Sequence, residues 1–456
     1  MQKRRVTATI AGLALLAGTL VAGPAPAAAD KGHDGPSWAA RLLARQALPA
    51  GDGWGSAGAG TTGGAAASND QVYVASTRAE LVEALGGDNA SNADNDTPKI
   101  IFIEGTIDGF EGPDGELLNC EDLADPEYDF DDYLATYDPE VWGRDTDPSG
   151  PLEDARVRSL RNQEAQTVID VGPNTTLFGI NGARQEHLTL MLDGADNNIV
   201  RNLTIEGAFD CFPRWRPTDG SAGNWNSNWD YVSVRRSTNV WIDHNTFTTS
   251  TDELPVYFGR KFDIYDGQLD ITHTTDLVTV SYNVFRDHDK LTLIGSTNNP
   301  GGGDPGLLNV TLHHNRFDGV GQRGPRVRFG KVDVYNNYYQ VAVASSTFEF
   351  DYLWGVGVES QTYTENNFFD FRGAGVDPAG VIRDWGGTAI TERGTWARTG
   401  GRGFGKPISL LDAYNAVNDP PLGDDVGWTP ALRRGAVLPA AAVPFVVTLS
   451  AGAGRI

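Results

Sequence analysis

The stretch from Asp230 to Arg328 concentrates side chains that could bind a metal ion and an anion. Its candidate residues are Asp230, Asp266, Asp270, Lys290, Arg323 and Arg328. Three carboxylates offer hard oxygen ligands, which suit Ca²⁺ when water and substrate oxygens complete the coordination shell. Cysteine and histidine do not cluster with them, so the set does not suit softer metals. Carboxylates beside a lysine and two arginines therefore predict a site that holds Ca²⁺ and a polyanionic substrate.

The local spacing gives a first expectation of how the acids are arranged. Asp266 and Asp270 lie four positions apart, so on a helical turn their carboxylates would share one face. Asp230 precedes a predicted strand that begins near Val232. A lone aspartate more often caps a turn, but three of them near Lys290 favour a metal site.

The element that would position these residues is a short repeated strand. Each copy has alternating β-branched residues, then an asparagine, then an aromatic residue two positions later. The asparagines of the copies are Asn245, Asn283, Asn315, Asn337 and, in a degenerate copy, Asn367. Short strands that recur at unequal intervals and end in a turn residue predict a parallel β-helix with loop insertions of different length.

The same unit predicts what lies inside the coil. Asparagine tolerates the left-handed backbone angles of a sharp turn, so we expect it to adopt them here. Stacked asparagine side chains can hydrogen-bond to one another, and the following aromatics would stack in the interior. A β-propeller is the structural alternative, but it needs hairpins with two-residue turns, and few are visible.

These motifs are similar to those of polysaccharide lyase family 1, the pectate lyases. The matching segments are Trp241-Ile242-Asp243-His244-Asn245, Tyr265-Asp266-Gly267-Gln268-Leu269-Asp270, Asp287-His288-Asp289-Lys290 and the run from Arg323 to Gly330. The resemblance extends more weakly from about Val72 to Asn367. It implies an all-β fold, a single-stranded right-handed parallel β-helix with long loops and a few short peripheral helices. It also implies Ca²⁺-dependent β-elimination of α-1,4-linked polygalacturonate (pectate), giving 4,5-unsaturated oligogalacturonides.

The resemblance assigns a role to each candidate residue. The three acids match the calcium ligands of the family, Arg323 matches its catalytic base, and Lys290 and Arg328 match its substrate-carboxylate binders. Two positions depart from the pattern: Asn228 stands where some relatives have a further acid, and Gly324 where the family often has a bulky apolar residue. Pectin lyases, which act on methyl esters, lack the acid set, so its retention favours the unesterified substrate.

The chemistry of β-elimination agrees with these roles. The reaction removes a proton from C5, next to a carboxylate whose own charge opposes carbanion formation, and a bound Ca²⁺ withdraws that charge. Arginine is protonated in ordinary surroundings, so Arg323 can act as a base only where burial and neighbouring cations destabilise its charge. An ordinary carboxylate clamp is the alternative interpretation of Arg323.

Three segments are expected along the 456 residues. Residues 1–29 have a basic start, a short apolar run and a small-residue cleavage site, which predicts a secretory signal peptide and an extracellular protein. Residues 30–70 form a Gly/Ala-rich N-terminal segment, and residues 71–456 form the β-helix catalytic domain with a C-terminal tail packed on it. In an exported protein, Cys120 and Cys211 are favoured to form a disulfide.

Charge limits the partners. The formal net charge of -24 argues against nucleic acid and against an anionic membrane surface. No later apolar run is long enough for a membrane anchor, and we expect a monomer. A polyanionic substrate must therefore be held locally, by divalent cations and by clustered arginine and lysine.

Some conspicuous residues favour structural interpretations. Asp243 and His244 lie on a repeat strand, where alternation is expected to send them to opposite faces, and His313-His314 is expected to alternate likewise. The tryptophans before Asp230 (Trp215, Trp225 and Trp229) are more often packing residues than sugar platforms.

Two other functions compete with the lyase. A β-helix hydrolase of the polygalacturonase type would need paired acids placed for water attack and for protonation of the leaving group. A non-catalytic β-helix could bind wall polysaccharide without cleaving it. The lysine and arginine set favours the lyase over both.

Overall fold

The computed structural model describes residues 35–249, 254–342, 348–372, 375–401 and 403–456. The predicted signal peptide, residues 1–29, and the first residues of the segment 30–70 lie outside this range. The described chain winds into a coil of three parallel sheets, so the predicted parallel β-helix is confirmed. No described helix is both long enough and apolar enough to cross a membrane.

Two of the sheets share their first strands and then separate. Sheet 1 contains Val72–Ala75, Lys99–Asp108, Thr175–Glu186, Asn198–Arg201, Thr238–Asp243, Asp276–Ser281, Val310–His313, Lys331–Tyr335, Gln361–Glu365 and Thr391–Arg393. Sheet 2 continues from Thr175–Glu186 through Thr204–Glu206, Thr246–Thr248, Val284–Lys290, Arg316–Gln322, Tyr338–Ala342, Phe368–Arg372, Trp396–Thr399 and the antiparallel Lys406–Pro407.

Sheet 3 is the one that positions the candidate site. Its parallel strands are Val168–Asp170, Thr189–Asp193, Val232–Arg235, Leu269–Thr272, Leu293–Ile294, Arg326–Val327, Trp354–Gly357 and Ile382–Trp385. Short antiparallel hairpins pair Arg214–Arg216 with Asn224–Asn226 and Val256–Tyr257 with Arg260–Lys261.

The helices lie at the ends and in the connections of the coil. The α-helices are Trp38–Ala44, Arg78–Leu85, Asn89–Asn92, Cys120–Leu123, Phe130–Tyr137, Pro151–Thr167, Leu410–Asn415 and Val443–Ser450. Short 3₁₀ turns occur at Trp54–Ser56, Gly63–Ala66, Asn69–Gln71, Pro300–Gly302, Pro378–Gly380 and Ala440–Ala442. A disulfide joins Cys120 to Cys211, as the sequence favoured, and ties a helical connection to the loop before the first site residue.

A ladder of buried asparagines forms the turn between sheets 1 and 2. The backbone N–H and the side-chain amide of Asn283 both donate to Asn315 Oδ1, at 2.9 and 3.1 Å. The same pattern joins Asn245 to Asn283, Asn315 to Asn337 and Asn337 to Asn367. The predicted stacking is therefore present. The prediction of left-handed backbone angles for these asparagines is wrong, because the residue before each of them takes that conformation, as at Tyr282 (φ 52°).

The aromatic residues of the repeats stack inside the coil, as predicted. Ring centroids lie 4.8 Å apart for Phe247 and Phe285 and 5.2 Å for Phe285 and Phe317. The stack continues at 4.6 Å to Tyr339 and at 4.6 Å to Phe369. The asparagine ladder and this stack fix the register between coils.

The expectation that Asp243 and His244 face opposite sides is also wrong. His244 occupies the left-handed turn position (φ 52°), which ends the alternation and brings its Nδ1 to 2.7 Å from Asp243 Oδ2. Arg201 and Ser281 also donate to the Asp243 carboxylate, each at 2.6 Å. Burial alone would raise the pKa of Asp243, but His244 and Arg201 together lower it. His313 and His314 likewise touch, with 2.8 Å between their Nδ1 atoms.

The described part of the Gly/Ala-rich segment lies along the outside of sheet 1. The backbone N–H groups of Gly64 and Gly55 donate to Thr176 Oγ1 at 2.9 Å and to Thr279 Oγ1 at 3.0 Å. A Cβ on Gly64 would lie 2.0 Å from the Lys99 carbonyl oxygen, so this close approach requires glycine. At the other terminus, Val443–Ser450 packs its buried valines against sheet 2.

Candidate active site

The candidate residues lie in, or shortly before, successive strands of sheet 3. Asp230 lies just before the strand Val232–Arg235, and Asp270 lies in the next strand, Leu269–Thr272. Lys290 precedes Leu293–Ile294 and Arg323 precedes Arg326–Val327, which are the following two strands of the sheet. Since neighbouring strands lie about 4.8 Å apart, residues far apart in the sequence are stacked along one side of the coil.

The helical turn predicted for Asp266 and Asp270 is absent. Asp266 lies in an extended loop and Asp270 in a strand, so their spacing does not place them on one helical face. The peptide of Gly267 brings the acids together instead. Its N–H donates to Asp230 Oδ1 at 3.0 Å, and a Cβ on Gly267 would lie 2.4 Å from Asp270 Oδ1 and 2.9 Å from Asp230 Oδ1. Only glycine leaves room for both carboxylates at this position.

Asp266 makes different contacts from the other two acids. Its Oδ1 lies 3.4 Å from Lys290 Nζ and 3.9 Å from Arg323 Nη1. Burial would raise the pKa of Asp266, but the charges of Lys290 and Arg323 lower it, so this carboxylate is ionised. Of the three acids, Asp266 therefore forms ion pairs with cations of the site.

Asp230 and Asp270 form no ion pair among the described residues. Burial and the nearby charge of Asp270 raise the pKa of Asp230 well above its ordinary value. Burial and the charge of Asp266 raise the pKa of Asp270 to about 7, although Arg323 opposes this. Carboxylates whose pKa values are raised by burial and by a neighbouring acid form a donor set that a divalent cation would stabilise, and their oxygens suit Ca²⁺.

The three predicted ligands do not converge fully in this arrangement. Among the residues that the structure describes, a group of three potential ligand atoms within 4.8 Å of one another occurs at Asp108, Glu186 and His187, and the predicted acids do not form such a group. Asp266 lies instead beside Lys290 and Arg323. Asp230 and Asp270 thus fit an oxygen-bound cation, and Asp266 faces the cations beside them.

The two arginines of the candidate site differ in their surroundings. Arg323 has left-handed backbone angles (φ 62°), and its Nε is buried without a hydrogen-bond partner. Burial would lower its pKa, but Asp266 and Asp270 raise it, so Arg323 is charged while those acids are ionised. Burial, with Arg326 and Arg323 nearby, lowers the pKa of Arg328 to about 10. Arg328 donates to Asn298 Oδ1 at 2.7 Å and to the Gly295 carbonyl at 2.6 Å.

Two residues of the site, Asp263 and His288, had no predicted role. Asp263 accepts a hydrogen bond from Lys290 Nζ at 2.6 Å and holds that ammonium group in place. Only its position three residues before Asp266 could have pointed to it. Nε2 of His288 lies 2.6 Å from the Asp266 carbonyl, which can only accept, so Nε2 carries the proton. Burial lowers the pKa of His288 to about 4, and the neutral ring thus anchors the loop that carries Asp266.

A cleft of about 790 Å³ lies beside these residues. Its lining includes Asp263, Lys290, Arg323, Arg326 and Trp385. A smaller depression of about 240 Å³ contains Asp230, Asp270, Asn228 and Trp229. Trp215, Trp225 and Trp229 are all buried, in agreement with their expected packing role, and Trp225 also lines the large cleft.

Comparison with known proteins agrees with this geometry. The sequence profile of the family described as pectate lyase matches residues 149–389. A pectate lyase of Bacillus subtilis (strain 168) is 41% identical over 449 residues, which cover 97% of this chain and 99% of that protein. Pectate lyase E of Dickeya chrysanthemi is 33% identical over 352 residues, 75% of this chain and 74% of that protein.

Solved structures give the same result for the fold. A thermostable pectate lyase superimposes with a TM-score of 0.87 at 42% sequence identity, covering 91% of this chain and 99% of that chain. The structure of a pectate lyase bound to hexasaccharide superimposes with a TM-score of 0.83 at 42% identity, covering 91% of this chain and 99% of that chain.

Proposed function

This chain belongs to the pectate lyase family and is a polysaccharide lyase, and from that premise we propose that it is a secreted, calcium-dependent enzyme that cleaves α-1,4-linked polygalacturonate by β-elimination. The proposed products are 4,5-unsaturated oligogalacturonides. The observation that carries the proposal is the placement of a half-buried, ionised Asp266 between Lys290 and Arg323, beside Asp230 and Asp270, which form no ion pair among the described residues.

Arg323 is the proposed base. In the elimination, the base takes the proton from C5, the C5–H electron pair forms the C4=C5 double bond, and the glycosidic oxygen leaves C4 and is protonated. Arg323 must be neutral for this, and the charges of Asp266 and Asp270 favour its charged form. If the charge of these acids is neutralised, the remaining influences on the pKa of Arg323 are its burial and the charge of the neighbouring Lys290. Both lower that pKa and therefore favour the neutral base.

Calcium is the cofactor that we propose for Asp230, Asp266 and Asp270. The donor set supports it, because all three groups are carboxylates and two of them, Asp230 and Asp270, have pKa values raised by burial and by the charge of a neighbouring acid. The chemistry that calcium supplies when bound is charge withdrawal from the substrate carboxylate, which makes the neighbouring C5 proton more acidic. Asn228 stands beside this set as a neutral group, with its N–H bonded to Asp210.

Lys290 and Arg328 are the proposed carboxylate-binding groups of the substrate site. Lys290 is held by Asp263, so its ammonium group is positioned before substrate arrives. Arg328 is held by Asn298 and by the Gly295 carbonyl in the same way. Cations fixed in advance lose little conformational freedom on binding a polyanion, which supports their role.

Secretion and the substrate are part of the proposal. Residues 1–29 are the proposed signal peptide, the protein is proposed to act outside the cell as a monomer, and polygalacturonate is its proposed partner.

One assay tests the proposed function. The mature protein is incubated with polygalacturonate and Ca²⁺, and both ultraviolet absorbance and reducing ends are followed. We expect unsaturated product and reducing ends to appear together. Reducing ends without the absorbance would identify a hydrolase, and neither signal would identify a non-catalytic binder.

A further inference from the structure

One tyrosine lies in a row of phenylalanines inside the coil. The rings of the interior stack are Phe247, Phe285, Phe317, Tyr339 and Phe369. Tyr339 is fully buried, and the centroid of its ring lies 4.6 Å from the neighbouring ring on each side. Phenylalanine would pack equally well at this position, because both side chains offer the same ring faces to the stack. A buried hydroxyl group must find a hydrogen-bond partner, so its contacts show what distinguishes this position.

The Tyr339 hydroxyl bonds to the turn that carries Arg323. It donates to the Gly324 carbonyl at 3.0 Å, and the indole N–H of Trp354 donates to the hydroxyl oxygen at 3.3 Å. Burial raises the pKa of Tyr339 above its ordinary value, so the hydroxyl keeps its proton and acts as the donor to that carbonyl. The hydroxyl group therefore joins the interior stack to the residue that directly follows the proposed base.

The two peptides that follow Arg323 are held in different ways. In the first peptide, the Arg323 carbonyl accepts from the Thr292 N–H at 2.9 Å. The Gly324 N–H of the same peptide donates to the Leu353 carbonyl at 2.7 Å. The second peptide joins Gly324 to a proline, which has no N–H, so the Gly324 carbonyl is its one hydrogen-bonding group. The bond from Tyr339 thus fixes the second peptide of the turn.

Arg323 depends on this turn for its direction. Its backbone lies in the left-handed region (φ 62°), which residues other than glycine rarely adopt and which the surrounding contacts must hold. Among the described residues, its Nε has no hydrogen-bond partner and its ion pair with Asp266 is 3.9 Å long. The position of the guanidinium group is therefore set in large part by the backbone.

We propose that the hydroxyl group of Tyr339 positions Arg323: it anchors the Gly324 carbonyl from inside the coil and so keeps the guanidinium group within reach of the C5 proton of the substrate. This inference rests on the proposed function. Tyr339 is fully buried and cannot touch substrate, so its effect passes through the backbone of the turn. A displacement of about 1 Å that arises away from the chemistry can cost about 100-fold in rate, so one interior hydroxyl group can control turnover.

Tyr339→Phe tests this role, because it removes the hydroxyl group and keeps the ring. Tyr338→Phe is the matched control: Tyr338 is the adjacent residue, is also buried, and donates to Asp370 Oδ2 at 3.0 Å. The kcat and KM for polygalacturonate are measured at saturating Ca²⁺. We expect Tyr339→Phe to lower kcat by at least about tenfold while KM stays within about twofold of the wild type. Tyr338→Phe should leave both constants unchanged.

Stability measurements separate positioning from packing. Both substitutions remove a buried hydrogen bond, so each should lower the midpoint of urea unfolding to a similar extent. If the Tyr339 hydroxyl only stabilised the coil, its removal would give the result of the control, a lower midpoint with an unchanged kcat of the folded enzyme. That result would overturn the inference.

A second substitution at Arg323 tests the path of the effect. In Arg323→Lys, the group that Tyr339 positions is absent, so the addition of Tyr339→Phe should change the residual kcat by less than about twofold. An equal fold loss in the wild-type and Arg323→Lys backgrounds would show that the hydroxyl group acts on another part of the site, and would also overturn the inference.

Failure of the inference and failure of the proposed function give different results. If the wild type forms unsaturated product and Tyr339→Phe keeps kcat within about twofold of it, the positioning role alone is rejected. If the wild type forms no unsaturated product, both are rejected, because Arg323 then has no C5 proton to take.

Discussion

At the scale of single residues, Gly267 determines how the acids of the site are arranged. Its N–H donates to Asp230, and the space that a side chain would need is filled by oxygens of Asp270 and Asp230. This explains why a glycine follows Asp266 in the motif, a position to which the sequence analysis gave no role.

We expect Gly267→Ala to weaken Ca²⁺ binding by at least about tenfold, because the added methyl group must push Asp270 and Asp230 apart and cation sites depend on ligand geometry. Calorimetric titration with Ca²⁺ measures this directly. Gly380→Ala is the matched control, since a Cβ at Gly380 meets no atom within 4 Å. Equal affinity in both variants would show that these two carboxylates do not hold the cation together.

The two site arginines should respond differently to the same substitution. Arg323→Lys should lower kcat by more than about 100-fold with little change in KM, as for loss of a positioned base. Arg328→Lys should mainly raise KM, as for loss of a contact made in both ground and transition states. The steady-state rates of the wild type and of both variants are measured across pH at saturating Ca²⁺. The activity of the wild type should rise toward alkaline pH, because Arg323 must lose a proton to act as the base. An Arg323→Lys enzyme with kcat within about tenfold of the wild type would point to Lys290 as the base.

Much of the site was predictable at this scale, but its contacts were not. The motifs identified Asp230, Asp266, Asp270, Lys290 and Arg323 as candidates from the sequence, and the structure stacks their segments along one sheet. The spacing of Asp266 and Asp270 was misleading, because four residues describe one face only in a helix and these two lie in a loop and a strand. Asp263 was missed because a single acid outside a motif carries no signal of the lysine it holds.

At the scale of elements, the asparagine ladder is what the repeats encode. The alternating β-branched residues, the asparagine and the aromatic were enough to predict the coil and its interior stack. Left-handed backbone angles were predicted for the ladder asparagine, but they occur at the residue before it. The asparagine places its side chain inside the coil, and the preceding residue makes the turn. The course of the N-terminal segment could not be predicted from its sequence. It is held by backbone N–H groups that donate to threonine hydroxyls of the coil, and such hydrogen bonds require no particular side chain in the segment itself.

Removal of one ladder asparagine should therefore destabilise the coil. In Asn315→Ala, the N–H of Asn283 and the carbonyl of Val280 lose their buried partners. Each buried polar group left unpaired costs about 1–3 kcal/mol. Equilibrium urea unfolding measures the change in the free energy of unfolding. Asn418→Ala is the control, because Asn418 is exposed and its side chain donates to the Tyr414 carbonyl. A loss no larger than that of the control would contradict a stabilising role for the ladder.

At the scale of the whole molecule, the charge of the chain and that of its proposed substrate have the same sign. A formal net charge of -24 repels polygalacturonate over most of the surface. The cleft reverses this locally with Lys290, Arg323 and Arg326, and the proposed cation would neutralise the acids beside them. Binding and turnover should both depend on that cation, because it would act in the chemistry of the site and would also reduce the repulsion between the acids and the substrate.

The most direct test of calcium-dependent β-elimination at this site is a titration of turnover with Ca²⁺. Formation of unsaturated product from polygalacturonate is followed in excess chelator and then at stepped concentrations of free Ca²⁺, for the wild type and for Asp270→Asn. We expect no turnover in chelator, full recovery with added Ca²⁺, and a higher Ca²⁺ requirement in the variant because one charged ligand is lost. Full wild-type turnover in excess chelator would contradict the account.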